Sequence, residues 1–306
     1  MRSNDAPGIA FKRLKGQSGF VSDKKGSRMR WVTKMGSAAA MATMLATGAQ
    51  RANCGPTAAA AKGFDQYVAQ VEARLKQQHE SNDGFLAAAD WVRVKRGELV
   101  IERVNADPTP VLAGALLYHW RGTAFAPGAT ACDLERLLSH FAGYPQVYAP
   151  QIVSARVTPG NDGHFQTTLR VVQKHVITVV LDTSYDVQFY PTGTYSSPSG
   201  TRGYSIAHST HIDEIQSPGT ASEKALDANH EHGFLWRLNT YWSWEERDGG
   251  LYMQIETVSL TRSIPSGLGW AIGPFIESIP RESLEFTLRA TTNALRRQPH
   301  SERKTP

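Results

Sequence analysis

The sequence predicts an α+β fold in which an antiparallel sheet packs against a long C-terminal helix. Residues 176–190 alternate between apolar and polar side chains, which is typical of a strand with one packed and one solvated face. Residues 234–262 carry the strongest hairpin signal in the chain. Residues 278–297 place leucines at helical spacing. Together these three patterns favour a sheet with one covered face over a set of alternating parallel strands and helices.

Composition agrees with a globular chain. The protein has 306 residues, of which 41% are hydrophobic and 20% are charged. This length allows one large domain or two smaller ones. No apolar run approaches the ~20 residues that a membrane-spanning helix needs, which excludes a helical membrane protein.

The positive charge lies at the two ends of the chain. The net charge is +5, but residues 1–35 hold nine Lys and Arg against two acids, and residues 296–306 hold four against one. Residues 36–295 are therefore net negative. A nucleic-acid-binding protein needs a basic face on its folded body, so we expect no nucleic-acid partner.

Residues 34–52 have the order of features found in a signal peptide: a positive charge, a short apolar segment rich in alanine, and then small residues. Met29 is an alternative start. We expect an exported or periplasmic protein with residues 1–52 disordered or cleaved, and a disordered cytoplasmic leader is the alternative. The two cysteines, Cys54 and Cys132, have no metal-ligand spacing, and we expect a loose Cys54 and a packed Cys132.

The remaining elements follow in chain order. An amphipathic helix is predicted over 63–79, where apolar side chains recur at helical spacing. The other predicted elements are strands at 97–104 and 112–125, a helix at 129–142, and strands at 152–158, 164–174, 176–190 and 204–212.

The hairpin has a predicted register. A two-residue loop at Asp248-Gly249 pairs Thr240 with Thr257, Tyr241 with Glu256, Trp242 with Ile255, Ser243 with Gln254 and Trp244 with Met253. Because side chains alternate along a strand, the hairpin has two faces. One carries Phe234, Trp236, Leu238, Trp242 and Trp244, and the other carries Arg237, Asn239, Tyr241, Gln254 and Glu256.

Residues 263–277 read as an apolar loop interrupted by Gly267, Gly269 and Gly273, and Ser278 is the predicted N-cap of the last helix. These glycines would let the loop move as a lid over a cavity.

Residues 233–242 (GFLWRLNTYW) and 279–290 (IPRESLEFTLRA), together with the order of elements, resemble bacterial members of the START/polyketide-cyclase-like (SRPBCC) superfamily. The resemblance covers about 111–297. It implies a helix-grip fold, in which a curved antiparallel sheet wraps around the C-terminal helix and encloses an apolar cavity. Proteins of this superfamily bind lipids, sterols or polyketides, and some are cyclases or hydratases, but no catalytic signature is shared. The expected boundaries are 1–52 for the leader, 53–110 for an N-terminal helix and linker extension, 111–297 for the helix-grip domain and 298–306 for a disordered basic tail.

The candidate ligand-binding residues lie on the hairpin: Trp236, Arg237, Asn239, Tyr241, Trp242 and Glu256. An aromatic face can line an apolar cavity while a few polar groups orient a ligand. Two alternatives stay open. The aromatic residues can form a packed core, and the polar residues can form a satisfied buried network. The sequence does not indicate which face of the sheet is concave.

Other motifs point to no cofactor or metal. His208 and His211 lie three apart on a strand, and His230-Glu231-His232 has no third ligand at a suitable spacing, so surface histidines are the better interpretation. Residues 196–200 do not form a nucleophile elbow, and residues 267–273 lack dinucleotide-binding spacing.

Three functions remain. The first is binding of a hydrophobic or amphiphilic small molecule, lipid-like or polyketide-like, in an internal cavity. The second is a cyclase or hydrolyase that uses Tyr241, Glu256 or Arg237 as acid, base or orienting group. The third is a structural or interaction protein with a filled core, in which the 63–79 helix engages a partner.

Overall fold

A computed structural model of the protein describes residues 55–81, 83–87, 89–105, 112, 114–174, 178–191, 201–227, 230–263 and 269–297. The predicted leader, the predicted basic tail and Cys54 lie outside these residues, so their predictions stay predictions.

Eight of the strands form one antiparallel sheet in the order β1-β2-β9-β8-β6-β5-β4-β3, and β7 pairs with β6 beside this path. The strands are β1 (Val100–Arg103), β2 (Ala115–Pro127), β3 (Ile152–Pro159), β4 (His164–Lys174), β5 (Thr178–Pro191), β6 (Arg202–Gln216), β7 (Lys224–Ala225), β8 (Arg237–Arg247) and β9 (Gly250–Arg262).

The described part of the chain contains five α-helices. They are α1 (Ala58–Glu80), α2 (Trp91–Lys95), α3 (Ala131–Ser139), α4 (Tyr144–Val147) and α5 (Gly269–Arg297), with a 3-10 helix at Phe141–Gly143 before α4. The start of α3 is fixed by a capping box, in which the Thr130 hydroxyl accepts from the Asp133 backbone and the Asp133 carboxylate accepts from the Thr130 backbone.

Helix α5 packs on one face of the curved sheet, which we call the inner face. Leu284, Leu288 and Leu295 are buried there in one cluster with Trp242 and Trp244 of β8. Gly122 of β2 allows this close approach, because a Cβ at that position would lie 2.5 Å from Leu288 Cδ1. A curved antiparallel sheet packed around a long C-terminal helix is the predicted α+β helix-grip fold.

Helix α1 packs on the opposite, outer face. Phe64, Val71 and Leu75 of this amphipathic helix are buried with Leu117 of β2 and Leu260 of β9. The extension predicted over 53–110 therefore supplies a cover for the outer face and also the edge strand β1, which pairs with β2. The 63–79 helix is confirmed, but its apolar side is occupied by the sheet of the same chain.

The predicted hairpin register is confirmed at every pair that was named, from Thr240–Thr257 to Trp244–Met253. Alternation along β5 is confirmed as well. Its odd-numbered residues from Val179 to Phe189 all line the inner side of the sheet.

Two local predictions are wrong. The last helix begins at Gly269, so Ser278 is not its N-cap and residues 269–277 are helical where a loop was expected. Gly273, Pro274 and Pro280 lie within α5, although glycine and proline are the residues least favoured inside a helix, and this is why the sequence pattern indicated a loop there. Residues 264–268 of the predicted lid lie outside the described part. Cys132 is exposed because it lies on the solvent side of α3, whose buried positions include Leu134 and Leu138.

No helix in the described ranges is both long enough and apolar enough to cross a membrane.

Candidate functional site: a cavity between the sheet and helix α5

A cavity of about 680 Å³ lies between the inner face and helix α5. Strands β4, β5, β6, β8 and β9 form most of its wall, and α4 and α5 close it on other sides. Its lining is mainly aliphatic and aromatic, and the aromatic members are Tyr118, Phe141, Tyr144, Tyr148, Tyr185, Phe189, Phe234, Trp242 and Phe286. The volume lies within the roughly 300–1,000 Å³ typical of small-molecule pockets.

Two tyrosines of the wall, Tyr144 and Tyr148, are held by hydrogen bonds. Tyr144 donates to the Leu138 carbonyl at 2.7 Å, and the Tyr148 hydroxyl lies 3.0 Å from Thr291 Oγ1 of α5. Burial raises the pKa of Tyr148 to about 12, and burial likewise raises the pKa of Tyr185 to about 12. Both phenols are therefore neutral at pH 7, and they contribute apolar ring surface rather than charge.

Charged side chains lie at one end of the cavity. The charged or titratable lining residues of the described part, tyrosines apart, are His230, Glu231, His232 and Arg262. Residues 230–235 line the cavity as a strap that leads into β8. Burial and the nearby carboxylates of Glu214 and Asp213 raise the pKa of Glu231.

Glu214 of β6 fixes this strap in place. Its carboxylate accepts hydrogen bonds from the backbone N–H groups of His232, Gly233 and Phe234 at 2.8–2.9 Å, and it lies 2.9 Å from His232 Nδ1. Burial raises the pKa of Glu214, but these bonds outweigh burial and hold the pKa below its ordinary value. The bond to Glu214 also raises the pKa of His232. A negatively charged Glu214 and a positively charged His232 therefore both stabilise the strap in this position.

Of the six candidate residues, only Trp242 lines the cavity. Trp236 is equally buried but belongs to the cluster beneath α1 on the outer face, together with Tyr241. It precedes the first residue of β8, so the alternation that places Trp242 does not extend to it. This corrects the expectation that the two tryptophans share one wall.

The other four candidates also lie away from the cavity. Arg237 Nη1 donates to the Trp236 carbonyl at 3.1 Å, and Asn239 Nδ2 donates to the Tyr241 hydroxyl at 3.4 Å. Tyr241 donates to Glu72 Oε1 of α1 at 2.9 Å. Burial raises the pKa of Tyr241 well above its ordinary value.

Glu256 is the centre of a buried network on the outer face. Arg121 Nε donates to Glu256 Oε1 at 2.8 Å, Arg74 of α1 donates to Oε2, and His119 Nε2 lies 2.8 Å from Oε2. The Tyr67 hydroxyl of α1 lies 2.9 Å from His119 Nδ1. Burial raises the pKa of Glu256, but His119, Arg121 and Arg74 outweigh it and lower the pKa to about 2.

Two further contacts join α1 to the same face. His208 Nε2 lies 2.6 Å from Glu72 Oε1, and His79 Nε2 lies 2.8 Å from Ser243 Oγ. The bond from His208 lowers the pKa of Glu72, and the same bond raises the pKa of His208. The polar side of the hairpin therefore forms a satisfied buried network, which was one of the two alternatives. The side that carries Trp242 is the concave one, and it lines the cavity.

Sequence reasoning missed Glu214, His119 and the cavity-lining hydroxyls of β9. A signal for the hydroxyls was available, because Thr257 and Ser259 share a face with Ile255 by alternation. Nothing local marks Glu214, since its partners lie 18 to 20 residues further along the chain.

No protein-family model matches the sequence. No curated protein matches it either.

Several solved structures are similar at low sequence identity. A STAR-related lipid transfer protein fragment from Xanthomonas axonopodis is 15% identical, and the alignment covers 65% of this chain and 99% of that one, with a TM-score of 0.39. A START superfamily protein from Mycobacterium smegmatis is 15% identical, covering 59% and 99%, with a TM-score of 0.37. The di-domain ARO/CYC protein BexL from the BE-7585A biosynthetic pathway is 14% identical, covering 62% and 51%, with a TM-score of 0.40.

The resemblance to START-like proteins that the sequence indicates is thus found again among solved structures. At these TM-scores, nothing about this chain's function is inferred from that likeness. The helix-grip fold is instead read from the chain's own sheet order and its C-terminal helix.

Proposed function

We propose that the cavity between the sheet and α5 binds a hydrophobic or amphiphilic small molecule, lipid-like or polyketide-like. The observation that carries this proposal is a cavity of about 680 Å³ with an apolar and aromatic wall. Burial of apolar ligand surface there is favourable by roughly 25 cal/mol per Å².

The distribution of charge supports an amphiphilic variant of the ligand. Charged groups of the described lining lie only at the strap and at Arg262 beside it, while the rest of the wall is uncharged. A ligand with one polar end and an apolar body would match this division.

The other two hypotheses receive less support. Tyr241, Glu256 and Arg237, the proposed acid, base and orienting groups, lie outside the cavity, and Tyr241 and Glu256 are bound by α1. The filled-core hypothesis requires an interior without space, and it requires a free 63–79 helix. The interior contains a cavity, and the apolar side of α1 packs on the sheet, so both observations count against this hypothesis.

The tryptophan pair offers a matched test. Trp236 and Trp242 are both 7% exposed, but they lie on opposite faces of the sheet. Both W236A and W242A should lower the free energy of unfolding, because each removes a large buried side chain. Only W242A should weaken binding of the neutral fluorescent probe N-phenyl-1-naphthylamine, by about 1–3 kcal/mol.

Affinity is measured by titration well below the lower melting temperature of the two variants. Equal losses of affinity in W236A and W242A, or an unchanged affinity in W242A, would contradict binding in this cavity. Native mass spectrometry of the purified protein gives a second readout, and a co-purifying apolar molecule that is displaced by the probe is the expected result.

A further inference from the structure

The cavity wall contains a row of hydroxyl groups that the fold itself does not use. Thr257, Ser259 and Thr261 lie at alternate positions of β9, and Thr240 of β8 lies opposite Thr257. We call these four residues the hydroxyl row. All four line the cavity, as strand alternation requires for positions that share a face with Ile255 and Trp242.

The hydroxyl row differs from the other threonines of the same wall. Thr167 donates to the Arg156 carbonyl at 2.9 Å, and Thr183 donates to the Leu169 carbonyl at 3.1 Å, so both hydroxyls are satisfied by the sheet. Thr261 Oγ1 has no hydrogen-bond partner among the described residues and is covered by neighbouring atoms, so it lies behind the cavity surface. Within those residues, no side-chain hydrogen bond involves Thr240, Thr257 or Ser259 either.

The hydroxyl row constrains what can fill the cavity. A buried hydroxyl that loses water without gaining another partner is unfavourable. A ligand that displaces water from this wall binds well only if it replaces those hydrogen bonds. A plain hydrocarbon surface against β9 would leave the hydroxyls unpaired, while a ligand with oxygen atoms on that side would pair them.

Resting on the proposed function, we infer that the hydroxyl row is a polar subsite, and that the ligand is a largely apolar molecule with two or more carbonyl or hydroxyl oxygens along one edge. Residues two apart on a strand are separated by roughly 6–7 Å, which sets the spacing between successive oxygens. The surrounding groups of the wall, such as Trp242 and Leu238, hold the apolar body of the same molecule.

The test compares two probes of one shape. In 2,7-dihydroxynaphthalene two hydroxyls lie on one edge at a comparable spacing, and in 2,7-dimethylnaphthalene methyl groups replace them. The double variant T257V/S259A removes two hydroxyls of the row with little change of volume. T183V is the matched control, because Thr183 lines the same cavity but its hydroxyl is bound to the backbone.

We expect the wild-type protein to bind the dihydroxy probe at least tenfold more tightly than the dimethyl probe. T257V/S259A should lose most of that preference, and T183V should keep it. Affinities are measured by calorimetry below the lowest melting temperature of the three proteins, and a single T257V variant replaces the double variant if the latter does not fold.

The outcomes separate the two proposals. If neither probe binds the wild-type protein, the proposed function fails and the polar subsite fails with it. If both probes bind with equal affinity, or if the T257V/S259A variant keeps the full preference, the cavity binds apolar molecules but the hydroxyl row is not a polar subsite.

Discussion

The two faces of the sheet carry polar groups in opposite ways. On the outer face, Glu256, Tyr241 and His119 are buried under α1 and bound to Tyr67, Glu72 and Arg74 of that helix. On the inner face, the hydroxyl row faces a cavity of about 680 Å³ and makes no side-chain hydrogen bonds within the described residues. The outer face is closed by α1 of the same chain, while the hydroxyl row on the inner face borders a cavity within the described residues.

This difference shows why charged and aromatic groups on a strand are a poor guide to a ligand site. A buried polar group whose partners are all supplied by the fold contributes to stability and specificity of packing. A polar group that faces a cavity without a partner is the better indication of binding. The chemically rich face of the hairpin is the structural one here, and the plainer face is the candidate site.

The largest expected effect concerns Glu256. E256Q leaves Arg121 and Arg74 without their shared carboxylate, and breaking a buried ion pair from one side costs about 3–5 kcal/mol. Urea unfolding of E256Q should show a loss of this size. The affinity for the naphthylamine probe should stay unchanged in folded protein, because Glu256 lies outside the cavity.

Glu102 provides the control for that experiment. It accepts from the same Arg121 at 3.1 Å, but its side chain is 42% exposed. E102Q should therefore change stability by less than about 1 kcal/mol. If E256Q cost no more than E102Q, the outer-face network would not stabilise the packing of α1.

Gly122 tests the inner face in the same way. G122A places a Cβ 2.5 Å from Leu288 Cδ1 and 3.3 Å from Leu284 Cδ2, so these two side chains of α5 must move. Overpacking of this kind costs about 1–3 kcal/mol. Because α5 also closes the cavity, probe affinity should fall together with stability.

G55A serves as the reference for G122A, since a Cβ at Gly55 meets no atom within 4 Å. A G122A protein that loses stability but binds the probe with wild-type affinity would show that the position of α5 does not shape the cavity.

The parts of this comparison that sequence could predict are the local ones. Hairpin register follows from the Asp248-Gly249 turn, and the packed side of β5 follows from the alternation of apolar and polar residues along the strand. Both need information only from neighbouring positions, so both were predicted correctly.

The role of each face depends on contacts that are distant in the chain. Arg74 and Glu256 are 182 positions apart, and Glu72 and Tyr241 are 169 apart. No local pattern says that α1 covers the polar side of the hairpin, and therefore none says that Trp242 rather than Tyr241 faces the cavity. Trp236 is a local example of the same problem. Alternation predicts that it shares a face with Trp242, but β8 begins only at Arg237, so the strand does not fix the side on which Trp236 lies.

The smallest effect is a pH dependence of the outer face. His79 of α1 stacks on Tyr204 with ring centroids 4.0 Å apart and lies 2.8 Å from Ser243 Oγ. Burial lowers the pKa of His79 to about 4, with Glu256 opposing this shift and Arg74 adding to it. The folded protein thus favours neutral His79, while the unfolded chain takes up a proton near the ordinary value of 6.5.

It follows that the contribution of His79 is present above pH 6.5 and is lost as the pH falls toward 4. H79F keeps a ring at the stacked position but cannot titrate. Between pH 6.5 and 5 we expect the wild-type free energy of unfolding to fall by about 1 kcal/mol more than that of H79F, after allowance for partial exposure. Nearby His208 and Glu72 titrate alike in both proteins, so the difference isolates His79. If H79F and the wild-type protein lost stability in parallel over this range, His79 would have to be hydrated in the folded state, and α1 would be less tightly closed over the outer face than its hydrogen bonds indicate.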